Sequence, residues 1–236
     1  MGIKHKVNEE FFDKWNPAMA YVFGYWCADG NILDASDYMR GKYISVTSTD
    51  KEVIASFKNI LDSEHKIIEC APYGNRQKQY LLRIGSHRLF DALSRMGLTP
   101  NKSLTMKFPK VPKKFLPEFV RGYFDGDGCV HIEKGRGSAG NIILKRLRVL
   151  FTSGSRRFLV ELLGALEKAG IANGRIFDSH RSFQLIYPTS GSVALFKFMY
   201  ANVKRPLLLE RKFAIFSEYF KLRPSRVDKQ IAKIIR

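Results

Sequence analysis

Two short segments, GYWCADG at 24–30 and GYFDGDG at 122–128, begin and finish alike, 98 positions apart. Each follows an apolar run suited to a helix, and each closes on a small residue, an aspartate and a glycine. A single Asp-Gly after a helix is an ordinary turn signal. Two copies sharing the upstream Gly-Tyr-aromatic constrain the chain far more, because they imply one folding unit written twice.

The text downstream of each copy agrees. After the first, NILDASDYMRGKYISVTST carries Tyr, Ile, Val and Thr around an Arg-Gly turn, a β-hairpin pattern. After the second, CVHIEKGRGSAGNIILKRLRVLFTS repeats it with a longer glycine-rich turn. Both hairpins run into helices through Thr-Ser pairs, Thr47-Ser48 and Thr152-Ser153. Their helical stripes are Val53, Ile54, Phe57, Ile60, Leu61 and Phe158, Leu159, Leu162, Leu163, Leu166. A second hairpin, a further helix and a lysine-bearing segment follow in each half. The expected architecture is α+β: two pseudosymmetric αββαββα repeats forming a saddle of antiparallel sheets around a central two-helix interface. The Pro/Lys-rich stretch KFPKVPKKFLPE marks the boundary, giving halves at 1–112 and 113–222 and a basic tail at 223–236.

On the two motif helices Gly24 and Ala28 are four apart, as are Gly122 and Gly126, so each pair stacks on one face. Faces of small residues let two backbones approach closely, and the two helices are expected to pack on each other. Glycines 30 and 128 are expected to stop the helices. Asp29 and Asp127 would then meet at the negative ends of both helix dipoles. Carboxylates so placed repel unless a cation separates them, and oxygen donors favour Mg²⁺. A calcium loop at Asp125-Gly-Asp127 is excluded, since Arg136 stands where a bidentate Glu is required.

Composition narrows the partner. A net charge of +18 is far from that of an ordinary enzyme and points to a polyanion, nucleic acid before an anionic membrane. With 45% apolar residues the chain folds rather than remaining disordered. No apolar run is long enough for a bilayer, and the opening MGIKHKVNEEFF has no signal core, so a soluble intracellular protein is expected. Three well-separated cysteines and five scattered histidines form neither a disulfide framework nor a zinc pattern.

Residues 22–30, VFGYWCADG, and 120–128, VRGYFDGDG, resemble the paired motifs of the LAGLIDADG homing endonuclease family, in its two-motif monomeric branch. The resemblance implies a sequence-specific double-strand DNA endonuclease, hydrolysing phosphodiesters with divalent metal and leaving 3′ overhangs. Under it Asp29 and Asp127 hold the metal with the carbonyls of Ala28 and Gly126. Mg²⁺ is the implied ion, Mn²⁺ is expected to substitute, and Ca²⁺ to support binding without cleavage. By position Ser48 and Ser153, and Lys102 and Lys212, fall where family sites carry a polar residue and a lysine. The sixth motif position departs from the family's usual Asp in one copy, Cys27, and keeps it in the other, Asp125. That difference implies asymmetry at the helix interface.

The hairpins would read DNA, since alternation leaves one sheet face free for bases. The first half offers Tyr38, Arg40 and Lys42, then Tyr73, Asn75, Arg76, Gln77, Lys78, Gln79 and Arg83. The second offers Arg136, Asn141, Lys145, Arg146 and Arg148, then His180, Arg181 and Gln184. Arg suits guanine and Asn or Gln suits adenine. The expected partner is double-stranded DNA with a long asymmetric site, bound by a monomer and no membrane. An intron RNA maturase or a non-cleaving regulator on the same fold is the alternative.

Overall fold

A computed structural model describes residues 5–36, 41–72, 74, 77–136, 142–203 and 207–235. Tyr38, Arg40, Tyr73, Asn75, Arg76 and Asn141 lie outside the described residues, as does the side chain of Lys145. The chain divides into two compact units, Met1–Gly126 and Asp127–Arg236. The repeat boundary expected near Pro112 follows the sequence, whereas this division follows packing.

In the first unit helix α1 (Pro17–Asp29) leads into strands β1 (Gly30–Asp34) and β2 (Lys42–Ser48). Helix α2 (Lys51–Ile60), strands β3 (Ile67–Cys70) and β4 (Gln79–Gly85), and helix α3 (His87–Arg95) complete the repeat. The strands form an antiparallel sheet in the order β1-β2-β4-β3. Asn16 starts α1 by accepting from the Met19 N–H at 2.9 Å, and Pro17 fits the first turn, where no N–H is needed. Every residue of α1 from Met19 to Cys27 is buried, so the helix is covered on all sides rather than amphipathic. Phe57 of α2 anchors it, its ring 4.9 Å from that of Tyr25 and 5.5 Å from that of Trp26.

Helix α4 (Leu116–Asp127) opens the second repeat, and its residues through Gly126 belong to the first unit. Strands β5 (Gly128–Arg136) and β6 (Ile142–Ser153), helix α5 (Arg156–Lys168), strands β7 (Arg175–Ser179) and β8 (Ser182–Tyr187), and helix α6 (Thr189–Tyr200) follow. Their sheet order, β5-β6-β8-β7, is the same permutation as in the first unit. Its register shifts between Glu133 and Lys134, where β6 carries an extra residue. Beyond the repeat lie α7 (Glu210–Leu222), a 3-10 turn at Pro224–Arg226 and the short α8 (Lys229–Ile234). An aromatic cluster of Phe196, Tyr200, Phe213, Phe216 and Phe220 joins α6 to α7.

The doubled αββαββα pattern is thus present strand for strand. The glycine stop at residue 30 works differently from the expectation. Gly30 is extended (φ −80°), not left-handed, so α1 passes directly into β1. A Cβ there would come 2.4 Å from the Trp26 ring, so space and not backbone handedness excludes a side chain.

Candidate functional site

The expected small-residue interface exists inside the first unit. A Cβ on Gly24 would stand 2.1 Å from the Phe119 carbonyl oxygen, and one on Gly122 would stand 2.0 Å from that of Tyr21. Helices α1 and α4 therefore touch backbone to backbone, an approach only glycine permits. Lower down, a Cβ on Gly126 would meet the Ala28 Cβ at 2.4 Å and the Asp29 Oδ2 at 3.4 Å. The Asp29 carboxylate thus sits beside the last small residue of α4.

The sixth motif position is asymmetric, as its residue types imply, and the structure gives the asymmetry a form. Asp125 is 1% exposed and accepts the Tyr21 hydroxyl on Oδ2 at 2.8 Å. The Arg121 guanidinium carbon lies 5.4 Å from the Tyr21 ring centroid. Burial, followed by the Asp125 charge, pushes the Tyr21 phenol well above its ordinary range. In the other copy Cys27 fills the position as a buried thiol pushed up to about 12 by loss of water, with Lys102 opposing the shift.

Asp29 is exposed and Asp127 partly so, each the last residue of its helix. Beside each, a buried lysine reaches the motif backbone. Lys102, 7% exposed, donates to the Ala28 carbonyl at 3.2 Å and to the Gly30 carbonyl. In the second unit Lys212, 4% exposed, donates to the Gly128 carbonyl at 2.6 Å. Gly30 and Gly128 are the same motif position, so the two lysines perform one task twice. The Ala28 oxygen, expected as a metal ligand, already accepts an ammonium.

Ser48 and Ser153 end β2 and β6 on the helix-covered side and are buried. Ser48 accepts from the Tyr25 hydroxyl at 3.2 Å and from the Asp50 N–H at 3.1 Å, while Ser153 accepts from the Ser155 N–H at 3.1 Å. Each shapes the turn into the next helix without capping it. The cap of α5 is Ser155, which accepts from the Phe158 N–H at 3.3 Å.

Strand register sorts the hairpin residues. In the first sheet Ile32, Ile44, Val46, Leu82 and Ile84 face the helices, so Asn31, Tyr43, Ser45, Thr47, Gln79 and Arg83 face the other way. Arg83 is exposed opposite Ser45. Lys42 corrects the expectation: it shares the face of Ile44, binds Asp91 of α3 at 2.7 Å and lies over the Phe90 ring. Lys78, exposed just before β4, pairs with Glu69 at 2.6 Å beside the Tyr80 ring. Together with Lys51 it holds the Glu69 carboxyl below its usual range. Gln77 precedes β4 and is exposed.

In the second sheet Val130, Leu147, Val149, Phe151 and Leu185 face the helices, leaving Arg146, Arg148 and Gln184 on the other face. Arg148 pairs with Glu133 at 3.1 Å on that face. Arg136 ends β5 and is exposed. His180 and Arg181 form the two-residue turn between β7 and β8, with Arg181 left-handed at φ 57°. Residue choice by hairpin tips missed Asn31, Tyr43, Ser45, Thr47, His131, Arg175 and Phe177, all on the face opposite the helices. The period-two pattern of Ile44 and Val46 was the signal that could have found the β2 members.

The family model of the LAGLIDADG-like domain matches residues 16–97 and 114–187. Among solved structures, the LAGLIDADG meganuclease I-AabMI bound to uncleaved DNA aligns at 14% identity and a TM-score of 0.58, covering 93% of this chain and 97% of that one. The homing endonuclease I-WcaI bound to its DNA recognition sequence aligns at 13% identity and 0.57, covering 87% and 90%. I-DmoI in complex with DNA and Ca aligns at 16% and 0.55, covering 90% and 99%. These likenesses establish the fold. A curated relative, an A-type ATP synthase protein of Methanopyrus kandleri, is 28% identical over 139 residues, 55% of this chain but only 13% of that protein. No helix among the described residues is long and apolar enough to cross a membrane. With its family model matched across more than half of its length, in both repeats, the chain belongs to the LAGLIDADG-like domain family.

Proposed function

We propose that the chain is a sequence-specific, divalent-metal-dependent DNA endonuclease that binds a long asymmetric duplex site as a monomer and leaves 3′ overhangs. The observation that carries the reading is the doubled acid-and-lysine arrangement: Asp29 with Lys102 on the Gly30 carbonyl, and Asp127 with Lys212 on the Gly128 carbonyl. A pure binding module has no need of two helix-terminal carboxylates, each beside a buried ammonium.

Asp29 and Asp127 end helices whose carbonyl dipoles are already negative, so both positions favour a cation. Among the described residues no group of three His, Cys, Asp or Glu side chains is placed to hold a metal. Asp29 and Asp127 would each offer a bound ion one carboxylate at the end of its helix. A bound divalent cation, Mg²⁺ by its hard-oxygen preference, supplies an activated water and stabilises the departing 3′-oxygen. Lys102 and Lys212 set positive charge beside the carboxylates, where negative charge grows on the phosphate.

Recognition is assigned to the faces opposite the helices. Arg83, Arg146 and Arg148 suit guanine, and Gln79 and Gln184 suit adenine. The +18 charge adds sequence-independent attraction to phosphates. The test is incubation with a randomised duplex library in Mg²⁺, with Ca²⁺ as the binding control, and sequencing of cut ends. Asp29→Asn and Asp127→Asn should each abolish double-strand breaks while Ca²⁺-supported binding survives. Undiminished cutting by either variant would remove this site assignment.

A further inference from the structure

The tail beyond residue 222 reads from composition only as basic. In the structure it is fixed to its own unit. Ile231 is fully buried, Asp228 caps α8 by accepting from the Ile231 N–H at 3.0 Å, and Lys197 of α6 pairs with Asp228. That pairing, with the backbone N–H bonds at the start of α8, holds the Asp228 carboxyl below its usual range. The 3-10 turn at 224–226 is closed by Arg226 N–H to Arg223 O at 2.9 Å and Val227 N–H to Pro224 O at 3.0 Å. The burial of Ile231 and the Lys197–Asp228 pair fasten a stretch whose composition alone suggests a loose appendage, and its own cap and turn order it further.

The docking creates a cavity of about 250 Å³ lined by Thr189, Tyr219, Arg223, Ser225 and Arg226. None of these residues is acidic, and two are guanidinium-bearing and exposed. Arg223 is held in place by donating to the Leu144 carbonyl at 2.5 Å, at the start of β6. Its remaining N–H groups stay available, because a guanidinium carries five donors. The Thr189 hydroxyl accepts from the Leu147 N–H at 3.1 Å and retains its own proton to donate. Glu218, next to the lining Tyr219 on α7, pairs with Lys134, and Asp228, beyond Arg226, pairs with Lys197. Two arginines, two small hydroxyls and a phenol line this cavity without a carboxylate among them, a donor set suited to a tetrahedral oxyanion.

We infer that this pocket clamps one backbone phosphate of bound DNA. The β5–β6 hairpin whose outer face carries Arg146 and Arg148 begins its second strand beside Leu144. Arg223 reaches the edge of that strand at Leu144, and from this edge Arg223 and Arg226 would take one phosphate of a duplex seated on the outer face. The clamp carries no sequence information. It sets register for the reading residues, as phosphate contacts do. The inference rests on the proposed DNA-binding function.

The experiment measures DNA affinity of the full chain against salt, in Ca²⁺, on a preferred and an unrelated duplex. Each lost phosphate contact reduces the slope of log K against log salt by about 0.9. Between 50 and 200 mM salt, Arg226→Ala and Arg223→Ala/Arg226→Ala should therefore lose about 3.5-fold less affinity than the unaltered chain does. The change should be equal on both duplexes, with the melting temperature of Arg226→Ala unchanged. Slopes equal to that of the unaltered chain in both variants would overturn the clamp. So would an unchanged slope accompanied by phosphate-dependent thermal stabilisation of the unaltered chain, which would give the pocket to a free anion. Absence of salt-dependent DNA binding by the unaltered chain would instead strike the functional reading beneath, and the clamp with it.

Discussion

Gly122→Ala is the sharpest test of the helix pair, because its effect is set by one distance. The new methyl carbon would lie 2.0 Å from the Tyr21 carbonyl oxygen, 2.9 Å from its carbon and 3.0 Å from the Tyr25 nitrogen. Ordinary contact begins near 3.4 Å, so the shortfall is 1.4 Å. All three atoms are backbone and cannot rotate aside, so α1 and α4 must separate. Overpacking of this kind costs about 1–3 kcal/mol and occasionally more. A rigid backbone neighbour places the cost at about 3 kcal/mol, or roughly 6–12 °C of melting temperature for a chain of this size. Gly164→Ala provides the control. It sits inside α5 with nothing within 4 Å of the new carbon, so only helix propensity changes. That gains about 0.5–1 kcal/mol, or roughly 1–4 °C. Circular dichroism melts of both variants measure the contrast. Gly122→Ala melting within about 2 °C of the unaltered chain would refute backbone contact between the helices.

Removing the Tyr21 hydroxyl with Tyr21→Phe takes a hydrogen bond from a buried carboxylate. The cost should be about 1.5–3 kcal/mol in urea unfolding, with a coupling to Asp125→Asn in a double-mutant cycle. Native thiol labelling should modify the exposed Cys129 and spare Cys27, which should react only on unfolding; quantitative native labelling of Cys27 would contradict its burial. Because the folded Cys27 thiol and the Tyr21 phenol are shifted upward, the fold favours their protonated forms. The Cys27 contribution is fully present below about pH 9 and is lost as pH rises toward 12, with that of Tyr21 adding to the loss only at the alkaline end, so urea midpoints should fall across that window and not below it.

Much of this was legible because the repeat supplies two readings of each element. The α-β-β-α-β-β-α order, the strand ends at Ser48 and Ser153, and the contact faces at Gly24 and Gly122 all follow from local pattern and duplication. What escaped depended on contacts between distant segments. Lys42 reads as a hairpin cation until β2 is registered against β4, which turns it toward Asp91 of α3. The Lys78 pairing with Glu69 on the neighbouring strand is likewise invisible until β3 is registered against β4. The tail could not be placed from its own sequence, since its docking depends on Lys197, Leu144 and a cavity assembled from α6 and α7.

Each motif end carries a buried lysine, Lys102 or Lys212, whose burial is hard to explain by stability of the fold alone. Lys102 arrives from a 3-10 turn that follows the left-handed Asn101, whereas Lys212 arrives from the first turn of α7. Their backbones differ, yet both ammonium groups reach the same motif carbonyl. Neither site is comfortable. Lys212 lies at the positive end of a helix dipole, and burying an ammonium costs several kcal/mol that its hydrogen bonds offset only in part. A methionine would fill the same volume without that penalty, although the carbonyl would lose its donor at about 1–3 kcal/mol. The two effects oppose, so Lys102→Met and Lys212→Met should change unfolding free energy by no more than about 2 kcal/mol. Cleavage should nevertheless fall about 100-fold or more, the scale expected when a charge beside a reacting phosphate is removed. Cutting within threefold of the unaltered chain, alongside a clear loss of stability, would reverse the assignment and make both lysines fasteners for the helix ends.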